Sequence, residues 1–293
     1  MKYKNMKRYR NILAMAAMVI ASGFLSASCS SEDANEEKAE VSKSPLKIHV
    51  AGVATTKSFY EDTKLPDECE YSIFIENDGI EYYDIPVKYV KGESYISRYI
   101  YITRESSVGA VYCDRKKVAI DGDFIMLNPS GQQDVLVAFS WVTPSNPQVS
   151  LMFKHIMSRV ALRIFKTPEN NREYEFGTAV VDGLAYGNYR LFYDKVELSG
   201  QSTTIKLEPT EKSYIETETD VVEYDFLTVP QYASDLKFDI SGSLTTVLTL
   251  PQTYLKAGNK YVFNAVLTGN NLEIQSVEVE PWTSEEHDIS IEI

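Results

Sequence analysis

The chain has 293 residues, with 29 basic and 42 acidic side chains, a formal net charge of −13 and a hydrophobic fraction of 44%. That negative field repels nucleic acid and anionic lipid, which excludes both as partners. His49, His155 and His287 lie far apart with no acidic or cysteine partner at ligand spacing, so neither a zinc site nor any cofactor is expected.

The N-terminus carries a basic opening (Lys2, Lys4, Lys7, Arg8, Arg10), an uncharged apolar run from Ile12 to Leu25, and then Ser26-Ala27-Ser28-Cys29. This is the order of a secretory signal. As a helix the apolar run rises only about 21 Å, short of the roughly 30 Å bilayer core, so it reads as a removed signal (residues 1–28) and not as a membrane span. Small residues before Cys29, with Leu25 upstream, resemble a bacterial lipobox, although Ser26 stands where the commonest pattern has Leu. Ser30-Ser31-Glu32-Asp33 is similar to the surface-export signal of a group of Gram-negative anaerobes. The expectation is a surface lipoprotein on the outer membrane, acylated at Cys29, because two or three acyl chains anchor durably at about 0.8 kcal/mol per buried CH₂. Removing the signal takes five of the 29 basic residues and no acidic one, leaving 24 against 42 and a net of −18.

Residues 29–45 are polar and mostly charged and are expected to form a flexible tether. From Leu46 onward the pattern has period two. Leu46, Ile48 and Val50 alternate with Lys47, His49 and Ala51. Tyr71–Ile75 stops at Asn77-Asp78-Gly79, a hairpin signal, and Val135–Phe139 stops before the Pro144/Pro147 loop. Further strands are expected over 158–165, 189–198, 203–207, 224–229, 236–240, 245–250, 261–267, 272–279 and 289–293. Ser199-Gly200, Ser241-Gly242, Gly258-Asn259 and Gly269-Asn270-Asn271 read as turns between them. One or two short helices are expected near Thr210–Tyr214 or Leu65–Glu70. The whole reads as all-β, with two antiparallel β-sandwiches in tandem over 46–167 and 168–293, divided near Pro168.

No motif for catalysis stands out. The G-x-S-x-G elbow, H-E-x-x-H, the phosphate-cradling glycine loop and the C-x-x-C pair are all absent from the sequence, so no enzyme is expected. Asp121-Gly122-Asp123 lacks the rest of a calcium loop and reads as a hairpin turn. His155, among Phe153, Lys154, Ile156 and Met157, reads as a hydrogen-bonded structural histidine. Cys69 and Cys113 either pair in an oxidising compartment or stay as buried free thiols. Tyrosines cluster at Tyr82/Tyr83, Tyr95/Tyr99/Tyr101 and Tyr186/Tyr189/Tyr193. They can stack on sugars, but half-buried strand positions account for them more simply.

Three stretches resemble the fimbrillin family, the pilin-like lipoproteins of type V pili. Leu151 to Val160 looks like the strand that closes that family's first domain, and Val229-Pro230-Gln231 like a short element of its second. Gly258-Asn259-Lys260-Tyr261-Val262-Phe263, then Leu272 to Glu280 and Pro281-Trp282, looks like its C-terminus. The resemblance implies Greek-key, transthyretin-like sandwiches and a subunit that joins other fimbrial subunits, with adhesion to an unidentified host or bacterial surface. It also implies that a protease cuts after a basic residue and removes the first strand, and that a strand of the next subunit fills the groove.

In that scheme the displaced strand carries Leu46, Ile48 and Val50. Lys57 is the candidate cleavage position, or an ordinary loop lysine, with Lys47 and Lys43 behind it. Ile289, Ile291 and Ile293 are the candidate donor strand, or simply the last strand of their own domain. A first strand and a donor together favour a stalk subunit over a tip or an anchor. The rival reading is a monomeric glycan-binding surface lipoprotein that uses the tyrosine clusters as platforms.

Overall fold

The computed structural model describes residues 45–54, 65–77, 80–113, 119–129, 132–165, 175–214, 219–242, 246–268 and 271–282. The signal, the tether apart from Pro45, Cys29, Lys43, Lys57 and the Ile289/Ile291/Ile293 segment lie outside them. In chain order the strands are β1 (Lys47–Ala54), β2 (Glu68–Asn77), β3 (Ile80–Val90), β4 (Glu93–Ile96), β5 (Ser106–Cys113), β6 (Ala119–Asp121), β7 (Phe124–Leu127), β8 (Val135–Val142) and β9 (Gln148–His155). There follow β10 (Ser158–Phe165), β11 (Phe176–Arg190), β12 (Lys195–Leu207), β13 (Thr210–Tyr214), β14 (Thr219–Thr228), β15 (Lys237–Gly242), β16 (Thr246–Thr249), β17 (Asn259–Thr268) and β18 (Asn271–Pro281). Among the described residues the helical content is two 3₁₀ turns, Leu191–Tyr193 and Ala233–Asp235. The protein is all-β, as its alternating pattern and its abundance of Val, Ile, Thr and Tyr dictate.

Three sheets result. A seven-stranded sheet runs β1-β9-β8-β5-β2-β3-β4, a five-stranded one β13-β14-β10-β17-β18, and a six-stranded one β16-β15-β11-β7-β6, with β12 also on β11. Burial explains which strands alternate and which do not. In β9 every second residue is buried (Val149, Leu151, Phe153, His155), because that strand has a core on one face only. In β5, by contrast, Ser106 to Tyr112 are all buried. Val108, Ala110 and Tyr112 enter the core enclosed by the first sheet, while Val111 enters a separate core on its outer face. That outer core also takes Ile125 and Leu127 of β7, Tyr189 of β11 and Trp282. A third cluster, with Leu162, Tyr224, Phe238 and Phe263, fills the space between the other two sheets. The β6–β7 hairpin precedes residue 168, yet β7 pairs with β11, which follows it, from Gly187↔Leu127 to Arg190↔Phe124.

Several local expectations are corrected. Most pairs are antiparallel, but β1–β9 and β10–β17 are parallel. No hairpin joins these partners, so nothing local forces reversal. The expected helix at Thr210–Tyr214 is β13, which pairs antiparallel with β14. Leu65–Asp67 is irregular and leads into β2 at Glu68. The strand expected over 189–198 is broken by the 3₁₀ turn at Leu191–Tyr193, after which Asp194 takes a left-handed conformation (φ 51°). Ser199-Gly200 is no chain reversal: it lies inside β12, where residues 199–201 face a single residue of β11 between the Leu198↔Gly187 and Ser202↔Ala185 pairs. Gly200, at φ 75°, supplies the conformation that this bulge needs. Asp121-Gly122-Asp123 does form the β6–β7 turn, with Gly122 at φ 62°.

Candidate functional site

The candidate site is built on β1, which begins as a half-buried strand because Leu46, Ile48 and Val50 alternate with polar or small residues. Leu46 and Val50 are buried and Ile48 packs partly against the same core. Strict alternation then fails. The pairing with β9 runs Val50↔Leu151 and then Gly52↔Met152, which leaves Ala51 as an extra residue. Gly52 takes φ 146°, and the inward phase moves to Val53, which is 2% exposed. A non-glycine residue in that conformation would be strained.

β1 is the terminal strand of its sheet. On one side it has a parallel ladder to β9, from Lys47↔Gln148 to Ala54↔Lys154. On the other side, at its start, Pro45 bridges Tyr101, and the Leu46 N–H donates to the Ile100 carbonyl at 2.7 Å. The apolar floor beneath it includes Val149, Leu151, Phe153, Ile100 and Ile102. Fully burying an aliphatic side chain contributes about 1.5–3 kcal/mol, so Leu46, Val50 and Val53 together hold the strand by about 5–9 kcal/mol. Removing β1 without a replacement exposes that floor. Lys47 lies inside the ladder, with its N–H donated to the Pro147 carbonyl at 2.9 Å, so a protease reaches that peptide only after the strand unzips.

The other singled-out residues fall in structural roles. His155 is buried at the end of β9, with Nδ1 2.8 Å from Asp134 Oδ2 and its ring stacked on Trp282 at 4.2 Å between centroids. Cys69 and Cys113 are free thiols. Cys69 packs against the core inside the first sheet and Cys113 against the core outside it, so the two side chains point to opposite faces of one sheet. Burial pushes the Cys69 thiol up to about 11, which keeps it protonated and unreactive at neutral pH. The Cys113 Sγ instead accepts a hydrogen bond from Gln133 Nε2 at 2.8 Å. Of the tyrosine clusters, Tyr95, Tyr99 and Tyr101 are exposed, whereas Tyr189 is buried and Tyr193 exposed. Among the described residues no three His, Cys, Asp or Glu side chains converge on a metal position.

The Val229-Pro230-Gln231 element acquires a physical role that its sequence does not announce. Gln231 is 2% exposed and reaches the irregular middle of β11. Its Oε1 accepts from the Ala185 N–H at 2.8 Å, and its Nε2 donates to the Gly183 carbonyl at 3.1 Å. Gly183 sits at φ 90°, and a Cβ there would come within 2.1 Å of the Asp235 carbonyl oxygen. One side chain thus satisfies two main-chain groups that the bulged strand leaves without ladder partners.

Comparison with known proteins agrees with this architecture. A family described as fimbrillin-like matches residues 47–282. No curated protein matches the chain. Among solved structures, a candidate cell adhesion protein of Bacteroides ovatus is similar at 15% identity, with a TM-score of 0.60 over 83% of this chain and 99% of that one. A second candidate cell adhesion protein, from Bacteroides uniformis, gives 14% identity and a TM-score of 0.58 over 83% and 99%. At such identities these two likenesses concern the fold.

Proposed function

Because the chain belongs to the fimbrillin-like family, we propose that this fimbrial subunit polymerises at the cell surface by exchange of β1. The observation that carries the reading is that β1 has a ladder to one neighbour, shifted once at Ala51, and covers an apolar floor that another strand could take over. Leu46, Ile48 and Val50 recur at every second residue, and so do Ile289, Ile291 and Ile293. A strand added at a sheet edge gains main-chain bonds worth roughly 0.5–1.5 kcal/mol each, and each buried Ile adds about 1.5–3 kcal/mol. A donor of five residues therefore replaces most of what loss of β1 removes. In this proposal, cleavage after Lys57 releases β1. Cys29 carries the lipid that holds the precursor on the outer membrane, and residues 29–45 are its tether. Residues 46–167 and 168–293, taken as two sandwich domains, put the displaced strand in the first and the donor in the second. The role is structural and adhesive, not catalytic.

The test is limited trypsin digestion of the chain from residue 30 onward, followed by size-exclusion chromatography and N-terminal sequencing. A cut after Lys57 that yields ladders of oligomers is expected. A product cut there that remains monomeric after β1 has dissociated refutes exchange.

A further inference from the structure

The outer face of the first sheet carries a groove of about 410 Å³ that the assembly scheme does not use, since none of its lining residues belongs to β1. Its floor is β8 and β9, through Phe139, Met152 and Lys154, and its wall is the 3₁₀ turn Leu191–Tyr193 with Asp194. Sequence places that wall here through Gly109 of β5. A Cβ on Gly109 would lie 2.4 Å from Leu191 Cδ2, so only glycine lets Leu191 seat flat against the sheet.

Phe139 and Trp141 point to the same side of β8 but extend past the outer core, and Trp141 is 59% exposed. Their rings meet edge to face at 5.4 Å, and Phe139 meets Phe192 at 5.9 Å. Tyr193, 63% exposed, is held from one side by the Arg190 guanidinium 4.2 Å from its ring centre. Aromatic side chains gathered around one groove in this way mark a binding site. Beside it stands a polar pair. Lys154 Nζ lies 2.5 Å from Asp194 Oδ2, and the Tyr189 hydroxyl donates to Asp194 Oδ1 at 2.7 Å. Asp194 reaches both partners from a left-handed backbone that non-glycine residues rarely adopt, the kind of local strain that collects at ligand clamps.

The chemistry narrows the occupant. β8 and β9 are interior strands, so the floor offers no free backbone edge for an extended peptide. A purely aliphatic ligand would strip water from the partly exposed Lys154–Asp194 pair and leave its remaining donors and lone pairs unmet, which is costly. An anion finds the Lys154 ammonium already paired with Asp194 and the Arg190 guanidinium with Asp123, on a protein of net charge −13. What remains is a neutral molecule with apolar C–H faces for the rings and hydroxyls that both donate and accept. We propose that this groove is a saccharide-binding site, with Phe139, Trp141 and Tyr193 stacking against sugar rings and Lys154 and Asp194 hydrogen-bonding their hydroxyls.

The chain contains its own reporter, since Trp141 is exposed while Trp282 is buried on His155. The full chain is titrated with trisaccharides of α-linked glucose, β-linked glucose, N-acetylglucosamine, mannose and galactose, followed by tryptophan fluorescence and calorimetry. At least one is expected to shift the emission to shorter wavelength and saturate. Phe139→Ala and Tyr193→Ala are each expected to weaken it by about tenfold, or ~1.4 kcal/mol. Phe139 is 41% and Tyr193 63% exposed, and neither belongs to a buried core cluster, so the fold survives their loss. Tyr99→Ala, 81% exposed but outside the groove, is expected to change nothing. Failure of all five sugars to bind overturns the proposal. So does binding that neither groove variant weakens, or an apolar or peptide probe that shifts Trp141 where no sugar does.

Discussion

Replacing Gln231 by Leu tests whether one buried amide holds the centre of the second half together. The substitution keeps nearly the same volume, so it opens no large cavity. It does remove both bonds to β11, the 2.8 Å bond from the Ala185 N–H and the 3.1 Å bond to the Gly183 carbonyl. Each buried main-chain group left without a partner costs about 1–3 kcal/mol, and the apolar gain of Leu returns part of that. A net loss of about 3 kcal/mol is expected. In a protein of this size that lowers Tm by roughly 6–12 °C, and in urea it shifts the midpoint at constant slope. Gln231→Glu makes a sharper second test. Its carboxylate still accepts from Ala185 but faces the Gly183 carbonyl with no proton to donate, so its stability is expected to rise on acidification as the carboxyl regains a donor. A Gln231→Leu protein within about 1 kcal/mol of the parent refutes the reasoning. So does a Gln231→Glu protein that gains nothing relative to the parent at low pH.

Gly109→Ala drives a methyl into Leu191 and is expected to destabilise by about 1–3 kcal/mol in thermal unfolding. Trp282→Ala removes a buried ring from the outer core together with its stacking on His155, with an expected cost of about 3–5 kcal/mol in urea unfolding. Tyr71, whose hydroxyl donates to Ser94 Oγ at 2.9 Å, has its pKa pushed up to about 12 by burial. The folded state keeps a proton that the unfolded chain loses near pH 10, so this contribution is complete below pH 10 and fades as pH rises to about 12. Tyr71→Phe is expected to flatten that alkaline loss, measured as urea midpoints between those two pH values.

Strands with one buried face were legible residue by residue. The expected Ser158–Phe165 strand coincides with β10, and the Asp121–Asp123 turn lies where it was read. Partner choice was not legible, because alternation says which face is buried and nothing about the neighbour or its direction, so the parallel β1–β9 and β10–β17 pairs were missed. Glycine signals were ambiguous for a physical reason: Gly200 supplies the same positive φ to a bulge that it would supply to a reversal. On β1 the inward residues Leu46 and Val50 were visible, but the phase shift at Ala51–Gly52 was not. The aromatic groove escaped detection because its rings come from β8 and from a turn some fifty residues later, and only docking of Leu191 on Gly109 brings them together.

The two parallel pairs have a kinetic consequence. Lys47 meets Gln148 and Val160 meets Tyr261, each across about 100 residues of chain. Closing a loop of that length costs on the order of 4 kcal/mol of chain entropy before any contact repays it. Such non-local pairing belongs to slow-folding, high-contact-order topologies. The N-terminal strand leaves the ribosome before any other strand described here, yet it has no ladder partner until β9 has formed. Its docking is therefore a late event in folding, and a chain in transit carries Leu46, Ile48 and Val50 uncovered for as long as the following hundred residues take to arrive.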